Sequence, residues 1–240
     1  MVIKVHEGLC MIVFFDVGAT LIAGPPLTPA RQIAAELGLD DATRRDLDRR
    51  LLTSMVRTPG VLAALLVSLY GVPTDLAMDL AAAVWQAQTE IPQMIEGGRE
   101  LLSVLRTGDV QYGFISNIWF PYATTFARLY GPLADVELRF FSFRLGVAKP
   151  DLVRQAVMAA GVAAAACVMV GDSYETDMQP AIALGMRTIW LLHRPEKEHV
   201  WSEKIAINRL HTPDRALVSI ADIDMSTIMD LFQDRHTRAI

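Results

Sequence analysis

The sequence predicts an α/β fold, in which a parallel sheet carries helices on both faces and an all-helical segment interrupts the pattern. Strand-length apolar runs alternate with helical patterns along most of the chain, as in parallel sheets joined by helical crossovers. From about residue 22 to residue 95 there are helical patterns but no convincing strand. We therefore predict a Rossmann-like core, residues 1–21 and 96–240, and a helical cap, residues 22–95.

The predicted strands are short apolar runs, too short for helices that cross a domain. In chain order they are MIVFF, QYGFIS, a weaker LRFFSF, CVMVG, TIWLL and ALVSI. The helical patterns between them are GRELLSVLRTG, PYATTFARLYG, KPDLVRQAVMAAG and DMQPAIALGM. Strands that are apolar throughout are typical of a sheet buried on both faces.

The predicted cap contains four successive helical patterns. They are TPARQIAAELG, ATRRDLDRRLLTSMV, GVLAALLVSLYG and DLAMDLAAAVWQAQ. Thr28 followed by Pro29 has the form of a helix cap and a first-turn proline. AGPP and IEGG flank the segment and are predicted to be linkers or hinges.

The composition favours a globular cytoplasmic protein. The chain has 240 residues, 52% hydrophobic and 20% charged, and a net charge of -5 argues against nucleic-acid and anionic-membrane partners. The longest uncharged apolar run, AVMAAGVAAAACVMVG, is broken by Gly161 and too short to span a bilayer. Cys10 and Cys167 lie in apolar stretches, which predicts buried thiols in a reducing compartment. The oligomeric state is left open.

Chemically active residues follow several predicted strands. In an open parallel sheet, ligands bind beyond the carboxyl ends of the strands. The residues at these positions are Asp16, Ser116, Asn117, Gly171, Asp172 and Ser173, with Asp177 one turn later and Lys149 in the intervening GVAKPD.

Some of these residues have a structural interpretation when taken alone. Asp16 or Ser116 could simply cap the next helix. Lys149 is different, because a cation at a helix N-terminus faces the positive end of the dipole and costs stability unless an anion lies there. Taken together, the carboxylates, the lysine and the hydroxyl predict a metal–phosphate site.

The ordered set resembles the haloacid dehalogenase-like hydrolase superfamily. Its four motifs are matched here by Asp16-Val17-Gly18-Ala19-Thr20 for Asp-x-Asp-Gly-Thr, by Ser116, by Lys149-Pro150, and by Gly171-Asp172-Ser173 through Asp177. A helical insert after the first strand is similar to the cap of the subgroup that includes phosphoglycolate phosphatases and 2-haloacid dehalogenases.

The resemblance implies a role for each matched residue. Asp16 would attack phosphorus and form an aspartyl phosphate, and Lys149 and Ser116 would assist it. Phosphate would be bound by Val17, Gly18, Ser116, Asn117 and Lys149. Mg²⁺ would be held by Asp16, the carbonyl of Gly18 and Asp172, with Asp177, Ser173 and Thr20 supporting the site from outside the ligand set.

Gly18 departs from the resemblance in one respect that matters for catalysis. Phosphatases of the superfamily carry there an aspartate that protonates the leaving group, a contribution of roughly 10²–10⁴ in rate. Glycine keeps the carbonyl but not the acid. The predicted activity is therefore hydrolysis of a small phosphorylated metabolite that has a good leaving group or receives its proton elsewhere, with Glu90, Glu96 and Glu175 as donors to choose among.

Three alternatives are weighed against this prediction. The first is a phosphate-binding or interaction protein without turnover. A 2-haloacid dehalogenase is less favoured, because those relatives lack the Gly171-Asp172 pair and use no metal. Phosphonate cleavage needs a cap lysine, and the lysines of this chain, Lys4, Lys149, Lys197 and Lys204, all lie outside the insert.

Two groups of residues could contact the substrate or simply pack. Trp119, Phe120 and Tyr122 could line a leaving-group pocket, although aromatic residues at a helix start usually pack. The predicted cap carries six arginines that could reach an anion or form a solvated face with Asp46 and Asp48. They are Arg31, Arg44, Arg45, Arg49, Arg50 and Arg57.

Overall fold

A six-stranded parallel sheet forms the centre of the fold in the computed structural model, which describes residues 11–206 and 211–233. Its strands are β1 Ile12–Phe15, β4 Gln111–Ser116, β5 Arg139–Phe141, β6 Cys167–Gly171, β7 Arg187–Leu191 and β8 Arg215–Leu217. The order across the sheet is β5-β4-β1-β6-β7-β8. The strand order reverses beside β1, since the chain adds β4 and β5 on one side and β6 to β8 on the other.

The predicted strands correspond to these six elements. The weak run LRFFSF contains the three-residue strand β5. The last run, ALVSI, is strand only at its first two residues, because β8 is Arg215–Leu217. The prediction of an α/β fold with a parallel sheet is confirmed.

Both faces of the sheet are buried. In β1, Val13 and Phe15 pack into one apolar cluster, whereas Ile12 and Phe14 pack into the other. This alternation on two covered faces is the reason that the strand reads as a continuous apolar run. Gly113 in β4 allows close packing, because a Cβ there would lie 2.5 Å from the carbonyl oxygen of Leu138.

Helices cover the two faces as the alternation predicted. Outside the insert they are α5 Gly98–Thr107, α6 Phe120–Tyr130, α7 Ser142–Leu145, α8 Asp151–Ala160, α9 Gln179–Leu184, α10 Pro195–Ala206 and α11 Met225–Gln233. The cluster around Val13 and Phe15 packs against α5, α6 and α11, and the cluster around Ile12 and Phe14 packs against α8 and α9.

The segment between β1 and α5 is almost entirely helical. Its helices are α1 Pro29–Leu37, α2 Asp41–Thr53, α3 Pro59–Tyr70 and α4 Thr74–Glu90. Thr28 caps α1 as predicted, since its hydroxyl accepts from the Arg31 N–H at 3.4 Å and Pro29 is the first helical residue. These helices share an apolar core that includes Ile33 and Leu62.

The expectation of no strand between residues 22 and 95 is wrong at both ends of that interval. Two-residue strands, β2 Ile22–Ala23 and β3 Gln93–Met94, pair in antiparallel fashion. Two residues are too few to show a periodicity. AGPP therefore overlaps the end of β2, and IEGG follows β3, so that a small ribbon joins the two connections to the helical insert.

The composition predicted buried cysteines and no membrane-spanning helix. Cys167 is buried in β6, whereas Cys10 and the rest of residues 1–10 lie outside the described residues. Within the described part of the chain, no helix is both long enough and apolar enough to cross a membrane.

Candidate active site

The predicted site residues meet at the carboxyl edge of the central strands. Phe15 at the end of β1 is level with Phe114 of β4 and with Val170 of β6. The Asp16 N–H continues this ladder by donating to the Val170 carbonyl at 2.9 Å. Parallel register thus places Asp16 beside the ends of β4 and β6, and these ends carry Ser116 and Asp172.

Three carboxylates form the centre of this edge. Asp16, Asp172 and Asp177 are all buried, and each offers an oxygen within 4.8 Å of the others. Carboxylate oxygens are the ligands that Mg²⁺ prefers. The donor set therefore fits a divalent cation, and three negative charges this close together require cations nearby.

Lys149 supplies one of those cations. Its Nζ lies 2.5 Å from Asp16 Oδ1 and 2.5 Å from Asp177 Oδ1. The Lys149 N–H donates to Asn117 Oδ1 at 2.8 Å, so the residue after β4 fixes the loop that carries the lysine. The two carboxylates, rather than an ion from solution, provide the anions that a lysine preceding α8 was predicted to need.

The pKa values of Lys149 and Asp177 are shifted in a buried site where two carboxylates share one lysine. Burial lowers the pKa of Lys149, but Asp16 and Asp177 attract the ammonium and raise its pKa overall. Burial and the negative charge of Asp16 raise the pKa of Asp177 to about 6, and Lys149 only partly opposes them. The site therefore holds the ammonium firmly and has an excess of negative charge.

Asp177 is held by the turn in which it lies. Its Oδ2 accepts from the Ser173 N–H at 3.0 Å, and the Ser173 hydroxyl accepts from the Thr176 N–H at 3.3 Å. The chain from Tyr174–Met178 is a wide π-type turn before α9. A Cβ on Gly171 would overlap the Asp177 carboxylate, so this close approach requires the glycine that ends β6.

The loop after β1 is tightly folded. Leu21 and Ile22 both donate backbone N–H groups to the Val17 carbonyl, at 2.9 and 3.0 Å, and Ala19 adopts a left-handed φ of 56°. Val17 is fully buried, and its side chain packs into the apolar cluster around Val13 and Phe15. Thr20 is buried and its hydroxyl lies 3.5 Å from Asp172 Oδ1.

Asp172 has two further partners, and neither was identified from the sequence. Trp190 Nε1 donates to the Asp172 carbonyl at 3.1 Å. Arg194 Nη2 forms an ion pair with Asp172 Oδ2. Arg194 follows β7, so the same attention to strand ends that identified the other residues would have found it there.

Tyr122 lies beside Gly18 and also packs against the apolar clusters of the core and of the insert. A Cβ on Gly18 would be 3.6 Å from Tyr122 Cε1, and the Tyr122 hydroxyl donates to the Ile22 carbonyl at 3.1 Å. Burial, together with the negative charge of Asp16, raises the pKa of Tyr122. Tyr122 is therefore a neutral phenol that walls the space over Gly18.

The remaining predicted residues lie in separate surroundings. Trp119 is buried among the helices of the insert. The three glutamates considered as proton donors, Glu90, Glu96 and Glu175, are exposed. Asp46 pairs with Arg49 and Arg50 on the surface of α2, which confirms the solvated face for these two arginines.

A family described as HAD-hydrolase-like matches residues 145–223, the segment from the end of α7 to the residue before Asp224. This segment contains Lys149, Asp172 and Asp177. A comparison with curated proteins finds no match.

Solved structures share the fold over nearly the whole chain. A HAD family hydrolase from Deinococcus radiodurans with bound phosphate and sodium is 24% identical, with a TM-score of 0.60 and coverage of 94% of this chain and 98% of that one. A 2-haloacid dehalogenase from Pseudomonas syringae is 20% identical, with a TM-score of 0.56 and coverage of 93% and 98%.

A third similar structure contains both a metal and an anion. It is a HAD family enzyme from Bacteroides thetaiotaomicron in complex with magnesium and inorganic phosphate. It is 16% identical, with a TM-score of 0.58, and covers 80% of this chain and 98% of that one. At identities of 24% and below, these similarities support the fold and not a particular activity.

Proposed function

We propose that this chain is a Mg²⁺-dependent phosphatase of a small phosphorylated metabolite. Its fold and the match over residues 145–223 support membership of the haloacid dehalogenase-like hydrolase superfamily. One observation carries the proposal. Lys149 joins Asp16 to Asp177 through two contacts of 2.5 Å, within a buried cluster that also contains Asp172. Asp16 follows β1, Asp172 and Asp177 follow β6, and Lys149 precedes α8. The fold thus brings residues from three separate segments of the chain into one cluster.

Asp16 is the nucleophile in this proposal. Its carboxylate attacks phosphorus, the bond from phosphorus to the leaving oxygen breaks, and an aspartyl phosphate forms. Water then attacks this intermediate, releases inorganic phosphate and restores the carboxylate. Lys149 lies against Asp16 and screens the repulsion between the carboxylate and the anionic phosphoryl group.

Asp16, Asp172 and the carbonyl of Gly18 would hold Mg²⁺ in this proposal. When bound, the ion neutralises charge on the phosphoryl oxygens. Asp177 suits a supporting role better than a ligand role, because Lys149 and the Ser173 N–H already engage its two oxygens. Ser116, buried at the end of β4, and the backbone N–H groups of residues 17, 18 and 117 would bind phosphate.

The leaving group decides which substrates react. Gly18 supplies no proton, and the neutral Tyr122 beside it has a raised pKa that makes it a weak acid. Substrates such as aryl or acyl phosphates, whose leaving groups depart without protonation, therefore suit the site. The helical insert, residues 22–95, would act as a cap that excludes water and selects the substrate.

The alternative is a protein that binds phosphate without turning over. The missing acid at Gly18 favours it, whereas the intact arrangement of Asp16 and Lys149 favours catalysis. A 2-haloacid dehalogenase is less favoured, since Asp172 is retained. We also propose a cytoplasmic location, consistent with Cys167 being buried in an apolar strand.

The first test is hydrolysis of para-nitrophenyl phosphate with MgCl₂. We expect turnover by the wild type and a fall of at least about 10³-fold in Asp16→Asn, because the amide is not a nucleophile. Asp151→Asn, which removes an exposed carboxylate on α8, is the matched control and should retain full activity.

Two outcomes decide between the alternatives. Equal turnover by wild type and Asp16→Asn would contradict the catalytic proposal. Binding of inorganic phosphate by the wild type in calorimetry, with no turnover of any phosphorylated metabolite in a broad panel, would favour the binding protein.

A further inference from the structure

Arg194 is a second cation of the chain at the carboxylate cluster. It lies beyond the end of β7, and its guanidinium pairs with Asp172 Oδ2. The Asp172 side chain is 2% exposed, whereas that of Arg194 is 26% exposed. The pair thus joins a buried carboxylate to an arginine that reaches in from the surface.

The two cations of the site are shared among its three carboxylates. Lys149 pairs with Asp16 and Asp177, and Arg194 pairs with Asp172. Every carboxylate of the cluster therefore already contacts a cation from the protein itself. A divalent ion that uses Asp172 cannot simply be added, because it would bring two further positive charges against the guanidinium.

The two protein cations differ in how readily they can leave. The Lys149 side chain is 2% exposed and is held by two carboxylates. Arg194 contacts Asp172, and its side chain is partly exposed to water. A guanidinium stays protonated under all ordinary conditions, so it cannot lose its charge to accommodate the ion and must move instead.

On the basis of the phosphatase function proposed above, we propose that Arg194 competes with Mg²⁺ for Asp172. The guanidinium neutralises Asp172 in the metal-free protein, and metal binding displaces it from Oδ2. A ligand that draws Arg194 away from Asp172 should therefore strengthen Mg²⁺ binding, and because linkage is reciprocal, Mg²⁺ should strengthen the binding of that ligand by the same factor.

The test is Mg²⁺ affinity, measured by isothermal titration of MgCl₂ into the full chain. We expect Arg194→Gln and Arg194→Ala to bind Mg²⁺ roughly 10- to 100-fold more tightly than the wild type, the range for losing one charge-assisted competitor. Arg194→Lys keeps a positive charge but lacks the planar guanidinium. Its affinity for Mg²⁺ should therefore lie between that of the wild type and that of Arg194→Gln. Arg154→Ala, which removes an exposed arginine on α8, should match the wild type.

The opposite results are equally clear. Unchanged or weaker Mg²⁺ binding in folded Arg194→Gln would overturn the inference, as would the absence of Mg²⁺ binding in all variants. If Arg194→Ala fails to fold, Arg194→Gln and Arg194→Lys still decide the question. Failure of the proposed phosphatase would instead appear as equal turnover by wild type and Asp16→Asn, a result that leaves the Mg²⁺ affinities of the Arg194 variants to be compared on their own.

Discussion

Gly18 has room for the side chain that the superfamily's phosphatases carry. Its backbone is outside the left-handed region, and a Cβ would meet only Tyr122 Cε1, at 3.6 Å. That distance is an ordinary van der Waals contact. The backbone of the turn therefore has room for an aspartate at position 18. The acid is absent only because glycine has no side chain.

Gly18→Asp should accordingly raise turnover on alkyl phosphates, whose leaving groups need a proton. We expect an increase of about 10²-fold, at the lower end of general acid–base effects, with little change for aryl phosphates. Steady-state kinetics with both substrate types provides the measurement. Gly18→Asn has nearly the same shape but no carboxyl proton, and a similar increase in that variant would contradict the acid explanation.

Ala19 is the residue of this turn that carries the backbone strain. Its φ of 56° is left-handed, which costs an L-residue about 1–2 kcal/mol, and the superfamily motif has glycine at this position. Glycine relieves the strain but loses more chain entropy on folding, about 0.4–1 kcal/mol. Ala19→Gly should therefore stabilise the protein by about 0.5–1 kcal/mol.

Urea denaturation measures this difference directly. Ala82→Gly is a suitable control, because Ala82 is exposed in the interior of α4 and the same substitution there should destabilise by about 1 kcal/mol. Loss of stability in both variants would show that the conformation of Ala19 is not strained.

At the scale of residues, the sequence predicted the ordered motif positions because strand ends and motif spacing are local properties. The structure brings Asp16, Ser116, Lys149, Asp172 and Asp177 to one edge. The ion pair of Arg194 and the position of Tyr122 over Gly18 depend on how loops cross between strands. Attention to strand ends would have marked Arg194, and Tyr122 was one of the aromatic candidates, but no local pattern encodes which partner each of them contacts.

Among the elements, α11 depends on a single capping carboxylate. Asp224 Oδ1 accepts from the Thr227 N–H at 2.7 Å, and from the hydroxyls of Ser226 and Thr227. The bond from the Thr227 backbone is the largest cause that lowers the pKa of Asp224 to about 2. The ionised carboxylate is therefore the form that stabilises the helix start.

The stability that this cap adds should depend on pH. The folded pKa lies below the unfolded value of 3.8, so the contribution is fully present above about pH 4 and is lost as the pH falls towards about 2. Asp224→Asn still accepts a hydrogen bond but cannot ionise. We expect the wild type to be more stable by up to about 1 kcal/mol at pH 5, since exposure weakens the interaction.

Urea titrations of both proteins between about pH 5 and about pH 2.5 check this prediction. The difference in unfolding free energy should shrink steadily over that range. A difference that stays constant would mean that the negative charge contributes nothing and that the hydrogen bond alone caps the helix.

Element prediction succeeded where a segment carried a recognisable pattern, which is a continuous apolar run for a strand and a helical period for a helix. The six strands and the four helices of the insert all carry such patterns. The ribbon of β2 and β3 and the wide turn at Tyr174–Met178 do not, because two residues show no alternation and a π-type turn shifts the helical period. These short elements are stabilised by tertiary contacts.

At the scale of the whole molecule, the helical insert and the α/β core share buried side chains. Trp119 precedes α6 of the core but is 2% exposed within the apolar cluster of the insert. Its ring lies 5.6 Å from that of Trp85 in α4, edge to face, and its Nε1 donates to Gln88 Oε1 at 3.2 Å. Insert and core are thereby coupled through Trp119, and also through the Thr125 hydroxyl of α6, which donates to the Gln88 carbonyl at 3.3 Å. The composition alone could not show this coupling.

Trp119→Ala should weaken this coupling strongly. Removing a buried tryptophan costs about 3–5 kcal/mol and leaves the Gln88 amide oxygen without this donor. Because the lost contacts all belong to the insert, we expect the insert to unfold at a lower temperature than the sheet, which would split the thermal transition.

Differential scanning calorimetry distinguishes a split transition from a uniform shift. Trp201→Ala provides the comparison, since Trp201 is a partly buried tryptophan stacked on Tyr174 beside the sheet, far along the chain from the insert. It should lower the stability of the core without a separate early transition. If both variants shift one transition to the same extent, insert and core unfold as a single unit, and the expected split of the thermal transition would be contradicted.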